Sequence, residues 1–382
     1  MERKITRIRG NFSKYLKPGK VTALYGARRV GKTYLVEHYL KTLRDRRILS
    51  VSGDDILVRN AMSSENTREI LNFAEGYDVV FIDEAQRIPK IGFGLKILID
   101  KAPKLQIIVS GSASFELAGQ IGEPLTGRQN SVLLYPVSIE ERLSIEPKAK
   151  IRENLEEMLL FGQYPEVILQ RRTREKRSIL TELTRSYLYK DILELDKVKN
   201  SKVLTDMLKL VAYQIGNELN LTELATNLGI TVKTVQRYLD MFEKSFVLYS
   251  LRGFSRNARN EIVKSSKYYF YDVGARNAVI DDFNSLQSRG DLGRLWENFI
   301  ISERLKFRDY HGMGNSAYFW RTYEQQEVDL IEDFGGKLHA FEIKWSGKAK
   351  VKTPKKFLSL YPGAEFGCIN RGNFMEFTIF PT

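Results

Sequence analysis

The residues best suited to chemistry form the segment 26–33, Gly-Ala-Arg-Arg-Val-Gly-Lys-Thr, which matches the phosphate-binding pattern G-x-x-x-x-G-K-[S/T] in full. The glycines allow backbone N–H groups to turn inward around phosphates, Lys32 can reach the β and γ oxygens, and the Thr33 hydroxyl can hold Mg²⁺. A strand is predicted before this segment and a helix after it, the order that the motif requires; a plain glycine-rich turn is the alternative. The sequence therefore predicts an ATP and Mg²⁺ site at Gly26, Ala27, Arg28, Arg29, Val30, Gly31, Lys32, Thr33 and Tyr34.

A second pair of candidates follows Asp78 and the apolar run 79–82, which leads into Asp83 and Glu84. Asp83 can hold the Mg²⁺ shell, because an acidic residue at the end of a neighbouring strand does so in P-loop enzymes. Glu84 can orient or deprotonate the attacking water, which is the general-base role that a hydrolase needs. The alternative is the N-terminal turn of a helix, where both carboxylates interact favourably with the helix dipole.

Two further residues are candidates for contact with the phosphates. Ser110 follows a predicted strand, and its hydroxyl can hydrogen-bond the γ-phosphate or the attacking water, or cap the next helix. Arg128 can stabilise charge on the transferring phosphoryl group, within the chain or across a subunit contact of a homo-oligomer; a solvated loop arginine is the alternative. Together with Lys32 and Glu84, these residues form the predicted catalytic set.

Residues 221–240 have the spacing of a helix-turn-helix. Thr222 is predicted to cap the first helix, Gly229 to end it and Thr231 to cap the second. Two strand-like segments follow and predict a wing, so we expect a winged helix that binds DNA; the same fold also serves as a protein interface or a lid. The residues predicted to contact DNA are Thr231, Lys233, Thr234, Gln236 and Arg237.

The overall composition favours an anionic partner. The 382 residues include 60 Lys plus Arg against 47 Asp plus Glu, a net charge of +13 and a pI near 9.5, so nucleic acid, above all duplex DNA, is the expected partner. One cysteine excludes an internal disulfide, and three scattered histidines give no zinc constellation. We find no signal peptide and no run of about 18 apolar residues, so we expect a cytoplasmic protein without a membrane segment.

The C-terminal part contains a predicted hairpin whose register brings charged residues together. If the Gly-Gly pair at 335–336 is its two-residue turn, Asp329 opposes Glu342, and Lys344 lies on the same face. Opposed carboxylates repel each other unless a divalent cation lies between them, and Lys344 could then orient the attacking water or steady phosphate charge. The alternative is an exposed face on which Lys344 pairs with Glu327.

The motifs together resemble prokaryotic AAA-type ATPases that carry a winged helix and an uncharacterised C-terminal domain similar to PD-(D/E)XK nucleases. The resemblance rests on 26–33, Phe-Ile-Asp-Glu at 81–84, Leu-Thr-Gly-Arg at 125–128, Lys-Tyr-Tyr-Phe-Tyr-Asp at 267–272, Leu-Trp-Glu-Asn-Phe at 295–299, and Glu-Val-Asp-Leu-Ile with Phe-Glu-Ile-Lys at 327–331 and 341–344. It implies an ASCE-type P-loop sheet with Glu84 as the water-activating residue, and Glu297 as a further metal ligand beside Asp329. Val328 stands where the nuclease signature has proline.

The expected fold class is α/β: a P-loop parallel sheet with helices on both faces, a helical lid plus winged helix, and a C-terminal α/β nuclease-like domain. The expected domains are a P-loop ATPase domain at 1–137, a helical lid or connector at 138–202, the winged helix at 203–275 and the nuclease-like domain at 276–382.

Two functions are compatible with this expected architecture. The first is ATP hydrolysis on DNA, with or without cleavage by the C-terminal domain, and the second is a nucleotide-gated DNA- or protein-binding switch with an inert C-terminal domain. Glu84 favours hydrolysis.

Overall fold

The structure is a computed structural model and describes residues 5–111, 125–186, 201–255 and 266–379, apart from residues 315, 323, 325, 348–350 and 352. Two sheets organise this part of the chain. The first belongs to the N-terminal part and the second to the C-terminal part, and helices surround both. Within these ranges, no helix combines the length and the apolar character needed to cross a membrane.

The first sheet has five parallel strands in the order β2-β3-β4-β1-β5. Its strands are β1 (Val21–Tyr25), β2 (Ile48–Ser52), β3 (Val79–Asp83), β4 (Gln106–Gly111) and β5 (Gln129–Leu133), and its helices are α1 (Lys32–Leu40), α2 (Ile56–Ser63), α3 (Thr67–Ala74) and α4 (Ile91–Lys101). Neighbouring residues of a strand point to opposite faces, so Phe81 packs in the cluster that includes α1, whereas Val80 packs with α2, α3 and α4. Both faces are therefore covered, as a parallel sheet requires, and the α/β prediction is confirmed.

A helical region follows the first sheet. Its helices are α5 (Ile139–Arg142), α6 (Lys148–Glu153), α7 (Leu155–Phe161), α8 (Pro165–Leu169), α9 (Thr173–Ser186), α10 (Ser201–Tyr213), α11 (Leu221–Leu228) and α12 (Val232–Lys244). Their buried side chains join the same cluster as Leu24 and Val132 of the first sheet. The first sheet and the helical region thus share one apolar core.

The second sheet has six strands in the order β11-β10-β9-β8-β6-β7. Its strands are β6 (Leu248–Gly253), β7 (Ser266–Phe270), β8 (Ala317–Arg321), β9 (Glu327–Phe334), β10 (Lys337–Ile343) and β11 (Glu365–Ile369), and the helices beside it are α13 (Val273–Val279), α14 (Leu292–Tyr310), α15 (Lys355–Leu360) and α16 (Phe374–Thr378). The antiparallel pair β6–β7 lies where the wing is predicted, and it continues into the C-terminal strands because β6 pairs in parallel with β8. The predicted domain limits stay predictions.

Candidate functional site

The phosphate-binding loop, residues 26–31, joins β1 to α1 in the predicted strand–loop–helix order. Gly26 has a φ of 148°, and a Cβ atom placed there would lie 2.2 Å from the backbone oxygen of Leu134. Gly31 has a φ of 93° and is the N-cap residue of α1. A side chain would collide at position 26 and strain the backbone at position 31, which explains both glycines.

Lys32 lies against the loop and is buried. Its ammonium donates to the carbonyl oxygens of Gly26 at 2.8 Å and Ala27 at 2.9 Å. A phosphate bound in the loop would offer this ammonium a charged acceptor, which forms a stronger hydrogen bond than a neutral carbonyl.

Arg7 holds the loop from the N-terminal segment. Its guanidinium donates to the carbonyl oxygen of Val30 at 2.7 Å, to that of Tyr135 at 2.5 Å and to the carboxylate of Glu141 at 3.0 Å. The side chain of Glu141 is fully buried. One buried ion pair therefore fixes the loop to the start of the helical region. Sequence reasoning missed it because no local pattern marks a contact between such distant residues.

Asp83 is the point where the loop, β3 and β4 meet. The Thr33 hydroxyl donates to one carboxylate oxygen of Asp83 at 2.7 Å, and the Ser110 hydroxyl donates to the other. The structure thus brings together three of the predicted residues from separate parts of the sequence. Hydroxyl and carboxylate oxygens on adjacent elements are typical of a Mg²⁺ site beside phosphates.

Glu84 follows β3 directly and has left-handed backbone geometry, with a φ of 48°. Its half-buried carboxylate accepts a hydrogen bond from the side-chain amide of Gln86, and its backbone N–H donates to Asp83 at 3.1 Å. A Cβ atom at Gly53 would lie 2.4 Å from the backbone oxygen of Glu84, so the end of β2 packs closely against this turn. The position of Glu84 is therefore fixed by contacts on both sides.

Arg128 lies at the other edge of the first sheet. Its carbonyl oxygen accepts from the N–H of Val21, at the start of β1, whereas the loop follows Tyr25 at the end of that strand. Four residues of strand span roughly 13 Å. The Arg128 guanidinium pairs with Asp100 of α4. The structure does not bring Arg128 together with the loop of the same chain, so only the role across a subunit contact stays a prediction.

A cavity of about 1000 Å³ lies beside the loop. Its walls include Val30, Gly31, Tyr34, Pro165, Ile168 and Leu169. A concave, partly apolar space of this size is typical of a small-molecule site. Sequence reasoning found the loop side of this cavity and missed the α8 side, where nothing in the local pattern indicates a contact.

The two arginines of the loop differ in their surroundings. Arg28 is half-buried, whereas Arg29 is exposed and has a φ of 58°. The Arg29 guanidinium pairs with Glu182 of α9 and lies 3.7 Å from the carboxylate of Glu166 in α8. The loop is thereby connected directly to the helical region.

The predicted helix-turn-helix corresponds to α11 and α12. Gly229, with a φ of 63°, ends α11, and the Thr231 hydroxyl accepts from the N–H of Thr234 at 3.2 Å to cap α12, as predicted. The prediction that Thr222 caps α11 is wrong. Asn220 takes that role, because its side-chain oxygen accepts from the Thr222 N–H at 3.1 Å.

One side of α12 is buried and the other faces solvent. The buried residues are Val235, Tyr238, Leu239, Met241 and Phe242. Lys233, Gln236 and Arg237 are exposed, and Thr234 is half-buried. The residues predicted to contact DNA therefore lie together on an accessible surface.

The C-terminal hairpin has the predicted register. The Gly-Gly pair at 335–336 has φ values of 63° and 81°, as a type I′ turn requires. The pairing of β9 with β10 follows the predicted register as far as Leu330 and Phe341. Beyond that point, the carboxylate of Asp329 accepts from the backbone N–H of Ile343 at 2.7 Å. Asp329 is thus bound to the backbone of β10 beside Glu342.

A β-bulge in β9 changes the direction of side chains at this point. Tyr318 of β8 pairs with Ile331 and Trp320 pairs with Val328, so residues 329–330 together oppose a single residue of β8. Leu330 consequently belongs to the large apolar cluster, whereas Val328 and Ile331 belong to a smaller one.

The acidic residues predicted to hold a metal in the C-terminal part have lysine neighbours. Lys344 pairs with Glu342 at 2.6 Å, so the alternative pairing of Lys344 with Glu327 is wrong. Glu327 pairs with Lys267 of β7, whose ammonium also lies 3.8 Å from Glu297. Each of these carboxylates except Asp329 therefore has a lysine as a direct neighbour.

Burial and neighbouring charges shift the pKa values of Asp329 and Lys267. Burial, together with the nearby Glu297 and Glu342, raises the pKa of Asp329 to about 8. Burial lowers the pKa of Lys267, but the surrounding carboxylates outweigh burial and leave that pKa raised. In the part of the chain that the structure describes, no group of three or more His, Cys, Asp or Glu side chains is arranged to hold a metal ion. The predicted site at Glu297, Asp329 and Glu342 does not form such a group.

Three families match consecutive parts of the chain. Residues 18–143 match the family described as AAA domain. Residues 152–286 match a domain of unknown function, DUF8612, and residues 292–375 match another, DUF4143.

Two relatives of this chain have names that state no function. The chain is 26% identical to the uncharacterized protein MJ1544 of Methanocaldococcus jannaschii, over 82% of this chain and 72% of the relative. It is 27% identical to the uncharacterized protein Rv2008c of Mycobacterium tuberculosis over 70% of this chain, and it spans only 58% of that relative's length. AMPPCP-bound DnaA from Aquifex aeolicus is 18% identical over 59% of this chain and 81% of that chain, with a TM-score of 0.31.

The AAA-domain match covers the phosphate-binding loop, Asp83, Glu84 and Ser110. These residues meet at the ends of β1, β3 and β4, as the geometry above describes. The match and the loop together support a nucleotide-binding, P-loop AAA-type ATPase domain in the N-terminal part of this chain.

Proposed function

We propose that the protein is a Mg²⁺-dependent ATPase that binds duplex DNA through α12. The observation that carries the ATPase proposal is the donation of hydrogen bonds from both Thr33 and Ser110 to Asp83. Thr33 and Asp83 fit as Mg²⁺ ligands, because hydroxyl and carboxylate oxygens fill this role in P-loop enzymes. When bound there, Mg²⁺ would neutralise charge on the β and γ phosphates.

The remaining residues of the site have separate tasks in this proposal. Lys32 binds the phosphates by charge, and the backbone N–H groups of the loop surround them. Glu84 orients the attacking water and accepts its proton. The cavity beside the loop receives the base and ribose of the nucleotide, with the Tyr34 ring on one wall.

Lys32→Ala tests the nucleotide site directly. We expect the dissociation constant for ATP to rise about 10- to 100-fold, because a hydrogen bond to a charged group contributes about 1.5–3 kcal/mol. Titration with a fluorescent ATP analogue in the presence of Mg²⁺ measures the change. Lys41→Ala, an exposed lysine just after α1, is the matched control and should bind like the wild type. Equal affinity in both variants would contradict the proposed site.

The DNA-binding part of the proposal rests on charge and exposure. The chain carries a net charge of +13, and Lys233 and Arg237 are exposed on one helix next to Gln236. Exposed cations on the second helix of a helix-turn-helix can contact phosphates, while an exposed amide can contact base edges.

Lys233→Ala and Arg237→Ala should each weaken binding to duplex DNA. Log affinity falls as log salt concentration rises, and removing one phosphate contact should make this slope less steep by about one unit. Fluorescence anisotropy at several salt concentrations measures both quantities. Lys209→Ala, an exposed lysine on α10, is the matched control. If the α12 variants leave affinity and slope unchanged, α12 is better explained as a protein interface.

A nucleotide-gated switch is the second candidate, and the contact between Arg29 and Glu182 favours it, because this contact connects the loop to the helical region. The ATPase rate with and without duplex DNA separates the two functions. Turnover that depends on Mg²⁺ supports the enzyme, whereas tight binding with background turnover supports the switch. Cleavage of DNA by the C-terminal part is not included in the proposal, because Glu297, Asp329 and Glu342 do not form a metal-holding group in the described chain.

A further inference from the structure

A buried lysine lies among the carboxylates of the second sheet. Lys267, on β7, is 1% exposed. Its ammonium forms an ion pair with Glu327 at the start of β9 and lies 3.8 Å from Glu297 of α14. Asp329, two residues beyond Glu327, is 7% exposed, and its charge acts on both the Lys267 ammonium and the Glu297 carboxylate, so it is the third carboxylate of the group. We refer to Lys267, Glu297, Glu327 and Asp329 as the lysine cluster.

Other groups hold the carboxylates of the lysine cluster in place. The Tyr269 hydroxyl donates to Glu297 at 2.7 Å, and the backbone N–H of Ile343 donates to Asp329 at 2.7 Å. Gly216 packs against Glu297, since a Cβ atom there would lie 3.1 Å from the Glu297 carboxylate. The positions of these carboxylates are therefore set by the fold as well as by the ammonium.

Buried carboxylates require a positive charge nearby, because an uncompensated buried charge is strongly unfavourable. Mg²⁺ and Mn²⁺ could supply that charge, since they prefer carboxylate oxygens. A lysine ammonium can also supply it and adds three hydrogen-bond donors. The Lys267 ammonium already pairs with Glu327 and lies 3.8 Å from Glu297, so a divalent ion on the same oxygens would have to displace it or bind against its repulsion.

We propose that Lys267 is the resident cation of the lysine cluster and that it excludes a divalent metal from these carboxylates. The ammonium then compensates the buried carboxylates of the lysine cluster in the place of a metal. The proposal is independent of the proposed ATPase, because these residues lie on the second sheet and α14, whereas the phosphate-binding loop follows β1 of the first sheet. As they stand, the carboxylates of the lysine cluster, all within the described chain, do not form a metal-holding group. Replacing Lys267 by a neutral side chain of similar length should leave them without their cation, so that they close around a divalent ion.

Lys267→Met tests this inference by metal binding, without any assay of activity. The wild type, Lys267→Met and Lys267→Met with Asp329→Asn are titrated with Mn²⁺ in the absence of nucleotide, and free Mn²⁺ is measured by electron paramagnetic resonance. We expect Lys267→Met to bind about one more Mn²⁺ per chain than the wild type, and the added Asp329→Asn to abolish that gain. Thermal unfolding should show Mn²⁺-dependent stabilisation in Lys267→Met alone.

Lys344→Met is the matched control, because it removes a lysine that is 43% exposed and pairs with Glu342 outside the lysine cluster. A similar gain of Mn²⁺ in Lys344→Met would overturn the inference, since it would reflect general loss of positive charge. Two other results would also overturn the inference. One is a Mn²⁺ site in the wild type that the single variant Asp329→Asn removes, and the other is a folded Lys267→Met protein that binds no more Mn²⁺ than the wild type. If Lys267→Met folds only with Mn²⁺, the circular dichroism spectrum should become native on its addition. Failure of Mn²⁺ to restore that spectrum would count against the inference.

Discussion

Glu84→Gln should lower the rate of ATP hydrolysis by roughly 10²–10⁴-fold while ATP affinity is retained, because general-base catalysis contributes about that factor. The amide keeps the size of the carboxylate and can still accept a hydrogen bond from Gln86, so the turn after β3 should be preserved. The amide of the Glu84→Gln variant, unlike the Glu84 carboxylate of the wild type, cannot accept the proton of the attacking water. Single-turnover hydrolysis measures the rate, and titration with a fluorescent ATP analogue measures the affinity.

Glu37→Gln on α1 is the matched control, because Glu37 is exposed and belongs to the same domain. It should hydrolyse ATP at the wild-type rate. If Glu84→Gln does the same, Glu84 has no part in the reaction, and another group must activate the water. A variant that loses affinity as well as rate would place Glu84 in nucleotide binding.

Arg7→Met should lower the free energy of unfolding by about 3–5 kcal/mol, which is the usual cost of removing one partner of a buried ion pair. The side chain of Arg7 is 6% exposed and that of Glu141 is fully buried, so the substitution leaves a carboxylate without its cation inside the protein. The loop also loses the hydrogen bond to the carbonyl oxygen of Val30. Urea unfolding, monitored by circular dichroism, measures the loss of stability.

A second substitution separates the ion pair from other effects of Arg7. Arg7→Met combined with Glu141→Gln should be more stable than the sum of the single changes predicts, because the double variant leaves no unpaired buried charge. Arg44→Met, at an exposed position, is the control and should change stability by less than about 0.5 kcal/mol. A loss below about 1 kcal/mol in Arg7→Met would show that the pair contributes little to stability.

The sequence predicts those parts of the site that depend only on residues close together in the chain. The loop at 26–33 is recognised from eight consecutive residues, and the hairpin register follows from the Gly-Gly turn at 335–336. The bulge at 329–330 could not be predicted, because it depends on how β9 pairs with β8. Arg7 was missed for the same reason, since its partners Tyr135 and Glu141 are distant in sequence.

Two features could have been found from the sequence with closer attention to strand direction and alternation. Arg128 precedes a strand, so in a parallel sheet it must lie at the edge opposite the loop that follows β1. Lys267 alternates with Tyr269 along β7, so a buried Tyr269 implies that Lys267 faces the interior too. A lysine on the buried face of a strand requires acidic partners, and Glu297 and Glu327 fill this need.

The pairing of β6 with β8 joins two parts of the chain that match different families, so it limits how their coding regions can be exchanged between genes. The DUF8612 match contains β6 and β7, and the DUF4143 match contains β8, β9, β10 and β11, yet all six strands form one sheet. Either half alone would have an open strand edge, with unpaired N–H and C=O groups at Arg252 and Gly253 or at Tyr318 and Phe319. Recombination between genes would therefore disrupt the sheet if it separated these two regions, and the unit that can pass intact from one protein to another includes both.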